Sequence, residues 1–183
     1  ANWYALAGTL ILAAGVVVHL VYATVLTLHN RSSRGSQRYA MTAEPEGVTW
    51  ASRNMYVLGI IIVLGLLLHL YNFWYNMQFA EIIGNHELGP FPPADGAAYI
   101  AALFSSPVYC IIYLVWFAAI WFHLTHGFWS AFHTIGWDNQ TWLPRLKRIA
   151  NVVATIVFLC FALVVIVFYL RSLGVCGGSC AGF

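Results

Sequence analysis

Three histidines, His19, His69 and His123, sit inside stretches that carry no Asp, Glu, Lys or Arg. An imidazole in hydrocarbon is costly unless it finds a partner, so residues of this type at this depth point to proton, metal or redox chemistry. Taking the centres of the stretches as about residues 16, 66 and 120, each histidine lies three positions beyond its centre, roughly 4.5 Å at 1.5 Å per residue. Successive spans run in opposite directions, so His19 and His123 fall at one level and His69 at another, roughly 9 Å away before any tilt. Two nitrogens at one height on facing helices are what the iron of a b-type haem takes as axial ligands. His19 and His123 can share such an iron, whereas His69 needs a different partner.

The neighbouring residues extend this reading. His126, one turn past His123, misses the level of His19 by roughly 4.5 Å and is assigned to the surroundings or propionate side of the haem. His29 and His133 lie at a membrane edge and His86 in a loop. Gly15 and Ala23 bracket His19, Gly65 precedes His69 by four, and Gly127 follows His123 by four. Small residues on those faces let a flat macrocycle approach the backbone, or simply let helices pack closely. Arg31, Arg34, Arg38, Arg53 and Lys147 are candidates to pair with propionates, beside their simpler roles as topology signals and headgroup contacts. Asn72, Trp74, Tyr75, Asn76, Gln78 and Glu81 place hydrogen-bonding groups beside aromatic rings, which suits a quinone headgroup and equally an interfacial belt.

The elements that must position these residues follow from composition. The 183 residues are 61% hydrophobic, 16% aromatic and 8% charged, more apolar surface than a water-soluble fold of this size can hide. Four runs lack charge: Trp3 to Leu28, Asn54 to Ala80, Pro107 to Gly136 and Ile149 to Leu170. Each exceeds the ~20 residues a helix needs to cross a bilayer core, which predicts an all-α membrane protein, a transmembrane bundle with four spanning helices. A formal charge of +2 gives no footprint for nucleic acid. Arg31, Arg34, Arg38 and Arg53 lie between the first two spans and Arg145, Lys147 and Arg148 between the last two, while the segment from Glu81 to Ser106 has no Lys or Arg and carries Glu81, Glu87 and Asp95. By the positive-inside tendency the basic connections face the cytoplasm, with Arg171 weakly opposed. Pro90, Pro92 and Pro93 exclude a continuous helix, and the run AAYIAALF after them is expected along the interface. Trp3, Tyr4, Trp50, Trp137 and Trp142 fit aromatic belts. Residues 1–173 read as one membrane domain and 174–183 as a Gly-rich tail in which Cys176 and Cys180 are either bridged or reduced; Cys110 and Cys160 read as small apolar side chains. The chain opens at Ala1 within an apolar stretch, so further residues are expected upstream.

At the level of motifs, HLTHGFWSAFHTIGW from His123, LLLHLYNFWY around His69 and the pattern of basic loops resemble the b558-type cytochrome b subunit of succinate dehydrogenase and fumarate reductase, over nearly the whole chain. The resemblance implies a multi-pass subunit of the bacterial cytoplasmic membrane with five helices and two haems b. Such a subunit anchors a flavoprotein that carries FAD and a protein that carries iron–sulfur clusters, exchanges electrons with menaquinone, and belongs to the respiratory chain, with a dimer of the whole complex as one assembly. His19 and His123 match the ligands of the proximal haem and His69 one ligand of the distal haem. The helix that supplies the other distal ligand has no counterpart here, so the chain is expected to be a fragment. The acidic residue that some members carry before the helix-three ligand is replaced by Trp121 and Phe122, and no span holds a carboxylate. Two rival readings are a cytochrome b subunit of another dehydrogenase or a hydrogenase, and a proton or metal transporter lined by His19, His69 and His123.

Overall fold

A computed structural model describes residues 3–34, 49–137 and 139–175; Arg38, Cys176 and Cys180 lie outside them. It is 84% helical with no strand among the described residues. Four helical stretches, Trp3–Ser33, Met55–Ile83, Pro107–Thr134 and Trp142–Ser172, are long and apolar enough to cross a membrane. The protein is therefore an all-α, multi-pass membrane protein. It falls into two compact units, Ala1–Ile60 and Ile61–Phe183.

The first unit contains helix α1 (Trp3–Arg34), the short α2 (Trp50–Arg53) and the start of α3 (Met55–His69). α1 continues six residues past the charge-free run, through His29, Arg31 and Arg34. Long basic side chains are good helix formers and carry their charge back to the interface, so a polar sequence does not end a helix by itself. Thr49 and Ser52 close a capping box around the first turn of α2, which sets Arg53 at its end.

In the second unit the helix that begins as α3 widens at Leu70 into a π segment, Leu70–Phe79, and returns to α4, Ala80–Ile83. Gly84, at φ 68°, ends it in the left-handed conformation that glycine adopts without strain. Asn76 supports the π segment from the side: its Nδ2 donates to the Tyr71 carbonyl at 3.0 Å and the Asn72 carbonyl at 3.1 Å. The proline-containing loop then leads to α5 (Gly96–Phe104), whose first turn is capped by the Asp95 carboxylate accepting from the Ala98 N–H. This is the AAYIAALF run, and Tyr99 and Phe104 on it are buried. α6 (Pro107–Thr134) starts with a proline in its first turn, where no N–H is missed. α7 (Trp142–Ser172) begins seven residues before the charge-free run and holds Pro144 in its own first turn.

α6 and α7 pack along each other, with α5 against both and against the π segment. The buried positions of α6, Cys110, Tyr113, Trp116 and Ala119, recur every three residues along the helix. Those of α7, Ala150, Ala154, Ala162 and Val165, are mostly alanine, which lets the two backbones come close. Trp121 fixes the pair with a hydrogen bond from its indole Nε1 to Thr155 Oγ1 at 3.0 Å. The core gathers at Phe104, Cys110, Tyr113, Trp116 and Val165, with Tyr113 2% and Val165 1% exposed. Cys110 is a core side chain here, its thiol donating to the Phe104 carbonyl.

Candidate functional site

An apolar cavity of about 540 Å³ opens between the π segment, α5, α6 and α7, a volume ordinary for a small-molecule or cofactor site. His69 is the one imidazole among the described residues on its wall, beside Phe73, Phe104, Tyr113, Trp116 and Phe161. The His69 ring lies 5.0 Å from Phe73, 5.5 Å from Trp116 and 6.3 Å from Tyr113, centroid to centroid. Its Nδ1 is buried and meets no hydrogen-bond partner. A polar nitrogen left so costs about 1–3 kcal/mol, and no hydrogen bond from it fixes the rotation of the ring. The donor set suits a haem on this side: an imidazole in an apolar, ring-lined hollow with no charged side chain among the described residues of its wall.

Trp116 organises this wall. Its indole Nε1 donates to the Ile62 carbonyl at 3.0 Å, and its ring rests on Gly65 so closely that a Cβ there would run into it. The hollow that glycine opens four residues before His69 is thus filled by an indole from α6. Tyr113 accepts from Asn72 Nδ2 at 3.2 Å and meets Trp116 edge to face at 5.6 Å. These contacts put His69 at the level of Tyr113 and Trp116. His123 lies seven residues beyond Trp116 and ten beyond Tyr113, roughly 10–15 Å along α6 at 1.5 Å per residue. His123 is absent from the wall of the cavity that His69 borders.

His19 stands midway along α1, in the first unit, and His123 on α6, in the second. Arg31 is near the end of α1 and Arg53 at the end of α2, both in the first unit. His126 meets Trp129 edge to face at 5.0 Å, Lys147 sits 4.1 Å above the same indole, and the His126 Nδ1 is buried with no hydrogen-bond partner. Of the residues considered for a quinone, Asn72 is held by Tyr113. Tyr75 stands between Tyr71 and Phe79 in a stack with spacings of 6.1 and 5.5 Å and interplanar angles of 14° and 16°. A π turn holds about one residue more than an α turn, so side chains four apart stay nearly above one another. Gln78 is half-buried, and Glu81 is in α4. None of Asn72, Tyr75, Gln78 and Glu81 lines the cavity; Phe73 and Met77 of the same segment do.

Sequence reasoning passed over Trp116, Tyr113, Phe73 and Phe104. The one signal that would have found Trp116 is Gly65, since a glycine in an apolar helix asks what approaches it. Against protein-family models, curated proteins and solved structures, the chain matches none.

Proposed function

We propose that this chain is a membrane cytochrome b that passes electrons between a membrane quinone and an iron–sulfur subunit, in an assembly of the succinate dehydrogenase and fumarate reductase type. The observation that carries the reading is the His69 imidazole on the wall of an apolar, ring-lined cavity of cofactor size. His69 is read as an axial ligand on that side, and His19 and His123 as the pair for a second haem nearer the iron–sulfur subunit. A bound haem b supplies reversible one-electron transfer at its iron. The chain's own part is to present imidazoles, exclude water and surround the iron with apolar rings, which sets how readily it is reduced. Menaquinone is the expected quinone, and FAD and dicarboxylate chemistry belong to partner subunits on the cytoplasmic side of a bacterial membrane. The resemblance in the His69 and His123 motifs supports the succinate and fumarate assignment, and co-purification of a flavoprotein and an iron–sulfur protein tests it.

The direct test is a reduced-minus-oxidised spectrum of the purified complex together with its haem content. A b-type band is expected, and His123→Ala should remove one haem equivalent. Unchanged haem content would refute the assignment of His123, and a spectrum without a b-type band would favour a histidine-lined proton or metal path.

A further inference from the structure

We infer that Trp116 is the positioning residue for the His69 imidazole: anchored to Ile62 and seated on Gly65, its indole fixes the plane in which that ring is presented to a ligand. The inference rests on the reading of His69 as a haem ligand. Ile62, Gly65 and His69 follow one another at three and four residues and so share one face of α3. Trp116 engages all three, through a hydrogen bond to the first, direct packing on the second and a ring contact at 34° with the third. The indole cannot drift, because it is only 8% exposed and held between Tyr113 at 5.6 Å and Phe117 at 5.5 Å.

The imidazole has no such anchor of its own. A ligating histidine usually donates its second ring N–H to a carboxylate or carbonyl, which fixes both tautomer and rotation. The His69 Nδ1 makes no hydrogen bond, so the ring's rotation is set by what packs on its faces, Trp116 on one contact and Phe73 on another. Just past His69 the helix widens into its π segment, so the chain leaves the α register at the point where the ring must be aimed. Packing from α6 takes over the orientation that a hydrogen bond gives elsewhere. Gly65 is needed for it, since any side chain there displaces the indole.

The orientation of an axial imidazole plane decides its overlap with the iron d orbitals and is read in the low-spin electron paramagnetic resonance spectrum. The purified full complex is measured as wild type, His69→Ala, Trp116→Phe and Gly65→Ala, for haem content, g values and the α-band of each haem. His69→Ala is expected to lose one haem equivalent, which identifies its signal. Trp116→Phe keeps a ring but loses the bond to Ile62, and is expected to keep both haems while shifting the g values and α-band of that one haem only. Gly65→Ala is expected to move the same signal, and the double variant to shift it by less than the sum of the two singles, because both changes act on one indole. Should Gly65→Ala fail to assemble, Trp116→Phe decides alone. Full haem content in His69→Ala overturns the ligand reading and the inference with it. One haem lost in His69→Ala, with the remaining variants spectrally unchanged, overturns the positioning role alone.

Discussion

His69 and His126 are the same side chain in the same unit, each with a buried Nδ1 that meets no hydrogen-bond partner, yet their surroundings differ in kind. His69 borders a cavity walled by rings and aliphatic side chains, and nothing charged among the described residues lines it. His126 faces Trp129, whose indole already carries Lys147 4.1 Å above it, and it is absent from the cavity wall. Unsatisfied nitrogen alone therefore does not mark a ligand. What separates the two is empty apolar volume on one side and a neighbouring cation on the other. A cation beside an imidazole suits contact with an anionic group, and an open apolar wall suits a flat, largely uncharged macrocycle.

The sharpest way to break this contrast is to truncate each histidine. His69→Ala should cost the complex one haem equivalent by haemochrome assay, while His126→Ala should retain both. Equal losses from the two variants would mean that the cavity does not discriminate between them.

A smaller effect probes the cavity's floor. Ala154 is 4% exposed, lines the cavity, and sits where α7 comes close to α6. Ala154→Leu should overpack this contact and lower stability by about 1–3 kcal/mol, seen as an earlier thermal transition in detergent. Val153→Leu, at a position 54% exposed, should leave the transition within about 0.5 kcal/mol of wild type.

How much of this was legible in the sequence depends on which physical rule a feature obeys. The spans were legible, because crossing hydrocarbon demands long runs without charge and four such runs are present. Their ends were less so: α1 runs on through Arg34 and α7 starts at Trp142, since basic and aromatic side chains remain helical while reaching for an interface. The π segment was invisible, as no residue type demands a wider turn, and Asn76 bonding to the Tyr71 carbonyl is a consequence seen only in three dimensions. The different levels of His69 and His123 were legible from rise and direction alone. The polar residues after His69 read as one cluster for a quinone, but the structure turns Asn72 toward Tyr113 and puts Tyr75 in a stack with Tyr71, which is 66% exposed. A list of residue types carries no information about which side of a π turn each will occupy.

Tyr113 supports the His69 side of the comparison more weakly. Its hydroxyl accepts from Asn72 and its ring touches both His69 and Trp116, so Tyr113→Phe keeps the ring contacts and loses only the hydrogen bond. Between membrane helices such bonds average about 0.6 kcal/mol, and this is the expected loss, with about 1.7 kcal/mol as the ceiling. Haem content should stay whole, since what presents His69 is ring packing.

The smallest expected effect lies at the other imidazole. Lys147 over Trp129 contributes through the attraction of an ammonium to the face of an indole, about 0.5–1 kcal/mol at a partly solvated site. Lys147→Gln removes that charge while leaving a side chain of similar reach, so α7 should still dock on α6 through its alanine face. The thermal transition should fall by that small amount, and the haem signal that depends on His69 should not move, because Lys147 is not on the cavity wall. The lysine's other effect is electrostatic: it shares the Trp129 indole with His126, so its removal should weaken any anionic group held beside that imidazole. A change in the His69-dependent spectrum on Lys147→Gln would mean that the two environments communicate, and the separation drawn between an apolar and a cationic histidine would have to be given up.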